Sequence, residues 1–280
     1  MKYLLLPLLF LTTKTFAARV DTILVHSDAM NKDIKCIVIR PEHAATLNPV
    51  PTPGSEKTTH FPVVYLLHGH GGNYAQWPAT APQLGKEADD LGILFIAPDG
   101  GFDSWYFDSP IDPSVRYETF VIKELIPYID THYPTVPDRA HRAITGLSMG
   151  GHGALYLAIR HTELFGAAGA TSGGVDFRPF PDNWGIKKDL GTITDHKENW
   201  DNNTVYTLAD NLHNGDLKII FDCGTSDFFI TVNRNLHQKL LDKKIDHDYT
   251  ERPGGHNGAY WRNSIDFQVL FFWKYFLLGH

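Results

Sequence analysis

Five residues, Gly146-Leu147-Ser148-Met149-Gly150, restrict the fold more than any other stretch of the chain. They spell G-x-S-x-G, the pattern of a nucleophile elbow, a turn so tight that its central residue is held in a strained conformation at a strand's end. Small residues flank the serine because neighbouring backbones come too close there for side chains. The pattern alone arises by chance, so its surroundings decide. Residues 142–145 can end a strand, and residues 153–160 are an apolar helical run. Strand, sharp turn and helix predict a serine hydroxyl presented at the rim of a sheet. A glycine-rich turn with a bystander serine is the alternative that the remaining residues must exclude.

Hydrophobic patterning predicts strands at residues 20–25, 34–39, 62–67, 93–97, 142–145, 165–170, 217–221 and 246–252. Helices are expected at residues 81–91, 115–132, 153–160, 231–243 and 267–278. Most of the strands are unbroken apolar runs, the mark of strands covered on both faces. Strands alternating with helices therefore predict an α/β protein with a mostly parallel central sheet and helices on both faces. No internal repeat or linker divides the chain, so residues 18–280 are expected to form a single domain. One segment departs from this pattern. Residues 172–216 are rich in Asn, Asp, Trp and Gly and show little periodicity, which is unusual inside a compact domain. Surface decoration and a lid over the site are both open readings of it.

Residues 1–17 read as a signal peptide. Lys2 supplies the positive start, residues 4–11 are apolar apart from Pro7, and Thr15-Phe16-Ala17 offers small residues where a signal peptidase reads. Export is expected, with cleavage after Ala17 or Ala18 and no membrane anchor afterwards, the apolar run being too short to span a bilayer. A net charge of -7 with no basic block argues against a nucleic-acid partner. Cys36 and Cys223 could pair in an exported protein. Both lie in apolar strand-like runs, so two buried free thiols are the preferred expectation.

A serine hydroxyl needs an adjacent base, normally a histidine oriented by a buried carboxylate. In a sheet of this kind the order should be Ser, then acid, then His, each on a loop after a strand. After Ser148, the strand at 217–221 leads into Asp222-Cys223-Gly224-Thr225-Ser226-Asp227. Asp227 is chosen because it follows Gly224 in the loop, whereas Asp222 still belongs to the strand end. The last predicted strand leads into Pro253-Gly254-Gly255-His256, which makes His256 the expected base; His237 and His247 fall inside regular elements. The oxyanion needs backbone donors, one just after the nucleophile and one from an earlier loop. Met149 and His70, in His68-Gly69-His70-Gly71, are assigned those positions. His68, His70 and His152 could suggest a metal, but no carboxylate or cysteine stands at ligand spacing, and none is expected. Trp77, Trp105, Tyr106 and Trp261 fall on loops that should border Ser148 and are taken as substrate-binding candidates, suited to an aromatic or sugar-bearing substrate.

With these residues in place the chain resembles the esterase D-like group of α/β-hydrolases. That group includes S-formylglutathione hydrolases, tributyrin-type carboxylesterases, feruloyl and acetyl xylan esterases, and mycolyltransferases. The resemblance rests on Tyr65-Leu66-Leu67-His68-Gly69, Pro98-Asp99-Gly100-Gly101 with Ser104-Trp105-Tyr106, Gly146-Leu147-Ser148-Met149-Gly150-Gly151, the Asp222–Asp227 loop and Gly255-His256. It implies an α/β-hydrolase fold, a Ser148–Asp227–His256 triad, oxyanion donors at His70 and Met149, and no metal or other cofactor. With the expected signal peptide, it points to the exported carbohydrate esterases, acting on feruloyl or acetyl esters of plant polysaccharide, small or polymer-linked. Acyl transfer of the mycolyltransferase type and S-formylglutathione-type thioester hydrolysis are the enzymatic alternatives. A non-catalytic carbohydrate-binding protein is the third, disfavoured by the intact Ser, Asp and His.

Overall fold

Eight strands hydrogen-bond into one sheet in the order β1-β2-β4-β3-β5-β6-β7-β8. They are β1 (Arg19–Ser27), β2 (Lys32–Arg40), β3 (Val63–Leu67), β4 (Leu94–Pro98), β5 (Arg142–Gly146), β6 (Ala167–Thr171), β7 (Lys218–Gly224) and β8 (His247–Arg252). The computed structural model describes residues 18–42 and 60–278; the expected signal peptide lies outside them. β1 and β2 form an antiparallel hairpin, and β2 runs antiparallel to β4. From β3 to β8 every pairing is parallel. This is the α/β-hydrolase arrangement expected from the sequence, and it aligns the ends of β3, β5, β7 and β8 on one edge.

The helices are α1 (Gln76–Thr80), α2 (Leu84–Leu91), α3 (Tyr117–Thr119), α4 (Ile126–His132), α5 (Met149–Arg160), α6 (Ile186–Leu190), α7 (Lys197–Asn202), α8 (Val205–Leu208), α9 (Ile230–Asp242) and α10 (Gly258–Leu278). The two faces of the sheet carry separate cores. Val63, Tyr65 and Leu67 point to one side, toward Leu155 of α5 and Leu236 of α9. Val64 and Leu66 point to the other, toward Leu84 of α2 and Phe272 of α10. Because side chains alternate along a strand, an all-apolar strand serves both layers, which is why these runs lack alternation.

The helix expected over residues 115–132 is interrupted. Between α3 and α4, residues Phe120–Leu125 widen into a π-helix, with Ile126 N–H bonding to the Val121 carbonyl five residues back. Pro127 explains the widening, since it has no N–H to donate and its ring collides with the carbonyl four residues back in an α-helix.

The segment 172–216 is packed into the molecule rather than laid on its surface as decoration. Val175, Phe177, Ile186, Leu190, Trp200 and Val205 are buried in the same core as α5. Its helices α6, α7 and α8 have only five, six and four residues, too short to print a helical repeat on the sequence. The two cysteines are free and buried. β2 and β7 stand five places apart in the sheet, roughly 24 Å at the usual strand spacing, far beyond disulfide reach. Among the described residues no helix is long and apolar enough to cross a membrane.

Candidate active site

Ser148 sits between β5 and α5 with φ 57° and ψ −117°, a strained conformation for a residue with a side chain. The turn closes because Gly146 and Gly150 lack side chains: a methyl on Gly146 would strike the Gly150 carbonyl, and one on Gly150 would strike that of Leu67. The strain aims the hydroxyl out of the sheet edge, and Ser148 is 8% exposed.

His256 follows β8 and reaches back to this point. Its Nε2 lies 2.8 Å from Ser148 Oγ, across 108 residues of chain. Its Nδ1 lies 2.9 Å from Asp227 Oδ2 and 3.1 Å from Oδ1. An ionised carboxylate only accepts, so Nδ1 carries the proton and Nε2 turns its lone pair toward the serine hydroxyl. Asp227 is 3% exposed and is itself fixed by the Phe229 N–H, 2.8 Å from its Oδ1. The three side chains therefore form one continuous line of hydrogen bonds. Asp222, the alternative acid, is absorbed elsewhere, accepting from Thr171, Ser264 and Gln268 inside the core.

The His68–Gly71 loop lies directly against the elbow. A methyl on Gly69 would stand 3.4 Å from Ser148 Cβ and 2.7 Å from Leu147 Cδ1. The loop is braced from three sides. Gln76 Oε1 accepts from Gly69 N–H at 2.8 Å, Gly71 N–H donates to the Phe102 carbonyl at 2.7 Å, and Gly100 N–H donates to His68 Nε2 at 2.7 Å. Among the described residues, neither the His70 nor the Met149 backbone N–H has a partner. The His70 ring is part-exposed against Phe102, with centroids 4.8 Å apart, and burial lowers its pKa from the usual imidazole range.

Three of the four aromatic candidates are not placed to bind substrate. Trp77 is 1% exposed and donates its indole N–H to the Leu67 carbonyl at 2.8 Å, in the core of the opposite face. Tyr106 is fully buried, and its hydroxyl meets both the N–H (2.9 Å) and the carbonyl (3.2 Å) of His68, so it props the His68–Gly71 loop. Trp105 is 1% exposed and packs on Gly174 and Phe177. The cause is the backbone: Trp105 and Tyr106 both adopt positive φ, 51° and 62°, which turns their rings inward from a loop that reads as exposed. Trp261 does border the site, its ring edge-on to His256 at 5.1 Å. Sequence reasoning missed the side chains that do surround the opening, Phe102 and Phe228, which are 65% and 49% exposed. An aromatic pair directly after the candidate acid, Phe228-Phe229, was the available signal.

Two of the three histidines of the metal reading are engaged. His68 accepts from Gly100, and His152 is buried with its ring nitrogens 3.1 and 2.8 Å from the Trp105 and Asn203 carbonyls. Burial lowers His152 to about 4, so it stays neutral. Among the described residues no three His, Cys, Asp or Glu side chains converge on a metal position.

A family model named Esterase matches residues 27–272. An esterase of Mycobacterium tuberculosis is 30% identical over 227 residues, covering 70% of this chain and 48% of that protein. The chain thus spans about half the length of that mycobacterial relative. An acetyl esterase of Caldicellulosiruptor saccharolyticus is 28% identical over 216 residues, 72% of this chain and 79% of the relative. A solved ferulic acid esterase superposes with a TM-score of 0.76 at 26% identity, covering 94% of this chain and 100% of that one.

Proposed function

Because the chain belongs to the Esterase family of α/β-hydrolases, we propose that it is a serine carboxylesterase acting through Ser148, His256 and Asp227. The observation that carries this reading is the line from Asp227 through His256 to the Ser148 hydroxyl, with both hydrogen bonds at 2.8–2.9 Å. His256 takes the hydroxyl proton as Ser148 Oγ attacks the ester carbonyl. Asp227 holds the imidazole and stabilises its charged form. The tetrahedral oxyanion is met by the free N–H groups of His70 and Met149, already braced and needing no reorganisation. His256 returns the proton to the departing alcohol, leaving an acyl-enzyme. Water then attacks the acyl carbonyl, giving a proton to His256, and His256 returns that proton to Ser148 Oγ as the acyl–oxygen bond breaks and the acid leaves.

Ser148→Ala should abolish hydrolysis of a p-nitrophenyl ester and labelling by a fluorophosphonate, with the melting temperature preserved. Retained turnover in that variant would falsify the assignment.

The natural ester is proposed to be a feruloyl or acetyl group on plant polysaccharide, and the protein to be exported. The names of the acetyl esterase and ferulic acid esterase relatives support the first point. Lys2 and the apolar run that follows it support the second. A panel of methyl ferulate, acetylated xylan, short p-nitrophenyl esters and S-formylglutathione tests the substrate. Preference for the thioester would overturn the carbohydrate assignment. Export is tested by N-terminal sequencing of secreted protein, and a chain still starting at Met1 would remove it.

A further inference from the structure

The mouth of the site carries an aromatic surface that the hydrolytic line does not use. Phe228 stands beside the acid and packs its ring against His256, with centroids 4.3 Å apart and planes tilted by 37°. It is 49% exposed, so about half of the residue is open to solvent. Trp184, from the 172–216 segment, lies nearly parallel to it, with centroids 5.9 Å apart and planes 23° apart. The pair is held rigidly from behind. Phe229 packs on Phe228 at 4.6 Å and on Trp184 at 5.1 Å, and Phe180 packs on Trp184 at 5.4 Å.

A second observation marks the same place. Trp184 has φ 54°, a conformation that bulky side chains avoid, with Gly185 following at φ 71°. Strain of this kind persists where the surrounding structure insists on one orientation, and it concentrates at ligand clamps. The fold thus holds a strained, partly buried tryptophan and a half-exposed phenylalanine side by side at the opening. Most of the other large exposed apolar residues lie away from the site, on the hairpin edge or on α9 and α10.

The chemistry of the proposed reaction says which half of the ester meets this surface. His256 returns its proton to the departing oxygen, so the alcohol half sits beside the imidazole, while the oxyanion points to His70 and Met149. Phe228 touches the imidazole, which places it on the alcohol side. A half-exposed ring at the opening suits a partner ring that lays a C–H face against it and keeps its hydroxyls in water. A planar aryl group would be better served by a closed slot. The rim near His70 carries the exposed Phe102 ring together with Asp103 paired to Lys188 at 2.7 Å.

We propose that Phe228, backed by Trp184, is the specificity platform for the alcohol half of the ester, and that it stacks a sugar ring. This rests on the serine-esterase reading of Ser148. Stacking contributes to binding, so the platform governs KM more than kcat.

The test compares wild type with Phe228→Leu, which keeps apolar bulk without a ring, and Phe228→Trp, which restores a ring. Three esters are used: an acetylated pentose oligosaccharide, methyl acetate, and a methyl arylalkenoate. Phe228→Leu should lower kcat/KM on the sugar ester about 10-fold more than on methyl acetate, mostly through KM, and Phe228→Trp should recover it. Equal losses on all three esters would reduce Phe228 to a support for His256 and overturn the platform. A loss confined to the arylalkenoate would place it on the acyl side and overturn it equally. Fluorophosphonate labelling of Ser148 in each variant separates the two levels. An unlabelled wild type that hydrolyses none of the three esters defeats the esterase reading itself.

Discussion

Asp222 and Asp227 are both buried carboxylates at the end of β7, and they take different partners. Asp227 faces the loop and holds His256, whereas Asp222 accepts from Ser264 at 2.5 Å and from Gln268 at 3.0 Å on α10. In the proposed triad, Asp227→Asn should lower kcat by roughly 10³–10⁴-fold because the imidazole loses its orienting anion. Asp222→Asn should instead cost about 1–3 kcal/mol of stability, since it disturbs a buried hydrogen-bond cluster. Turnover of a p-nitrophenyl ester and urea denaturation of each variant measure the two effects, and a large kcat loss in Asp222→Asn would reverse the assignment. That Ser148, Asp227 and His256 come together was legible because chemistry dictates the types and the order that such a line of hydrogen bonds needs. Trp105 and Tyr106 could not. Their side chains turn inward through left-handed backbone angles, and nothing in residue type announces that angle for a Trp or a Tyr.

Helix α5 shows the same division at the scale of an element. Its existence follows from an apolar run after the elbow, yet its polar residues are spaced by four: Ser148 at its start, then His152, Tyr156 and Arg160. That spacing puts them on one face, leading away from the nucleophile. The far end meets Glu118 of α3, which accepts from Tyr156, Arg160 and His161, each at 2.8 Å. Burial pushes the Glu118 carboxyl up, but bonds from His161, Arg160 and Tyr156 outweigh it and hold the group at about 2. A carboxyl depressed on folding stabilises the protein above its unfolded pKa and loses that contribution as the pH falls through its folded one. Glu118→Gln should therefore cost about 3 kcal/mol at pH 7, with the gap to wild type narrowing as the pH falls from about 4.5 toward 2. Urea titrations of both proteins at pH 7 and pH 3 check this, and a gap independent of pH would refute it. The network was illegible because its members come from residue 118 and from residues 156, 160 and 161, two stretches far apart in the chain that meet only in the folded structure. The short helices of the 172–216 segment were illegible for a simpler reason, since one turn of helix shows no period.

At the scale of the molecule, unbroken apolar runs announced a parallel sheet, and each of the eight predicted strands is present within a few residues of its expected span. Strand order was beyond the sequence, because hydrophobic runs covered on both sides do not declare their neighbours. The order has a chemical consequence for the thiols. Cys36 and Cys223 lie on strands five places apart, and burial pushes the Cys36 thiol up to about 12 and the Cys223 thiol upward as well. Ellman's reagent should find neither thiol in the native protein and both after denaturation in the absence of reductant. A failure to titrate in denaturant would mean that the pair had been oxidised. The same order also bears on synthesis. β3 pairs with β5, yet about 75 residues separate the end of one from the start of the other. At the usual translation rate of about 5–20 residues per second, the apolar β3 emerges several seconds before its partner exists. For that interval the strand that will lie beside the nucleophile has an open edge, and it is the part of the nascent chain most in need of a chaperone's cover.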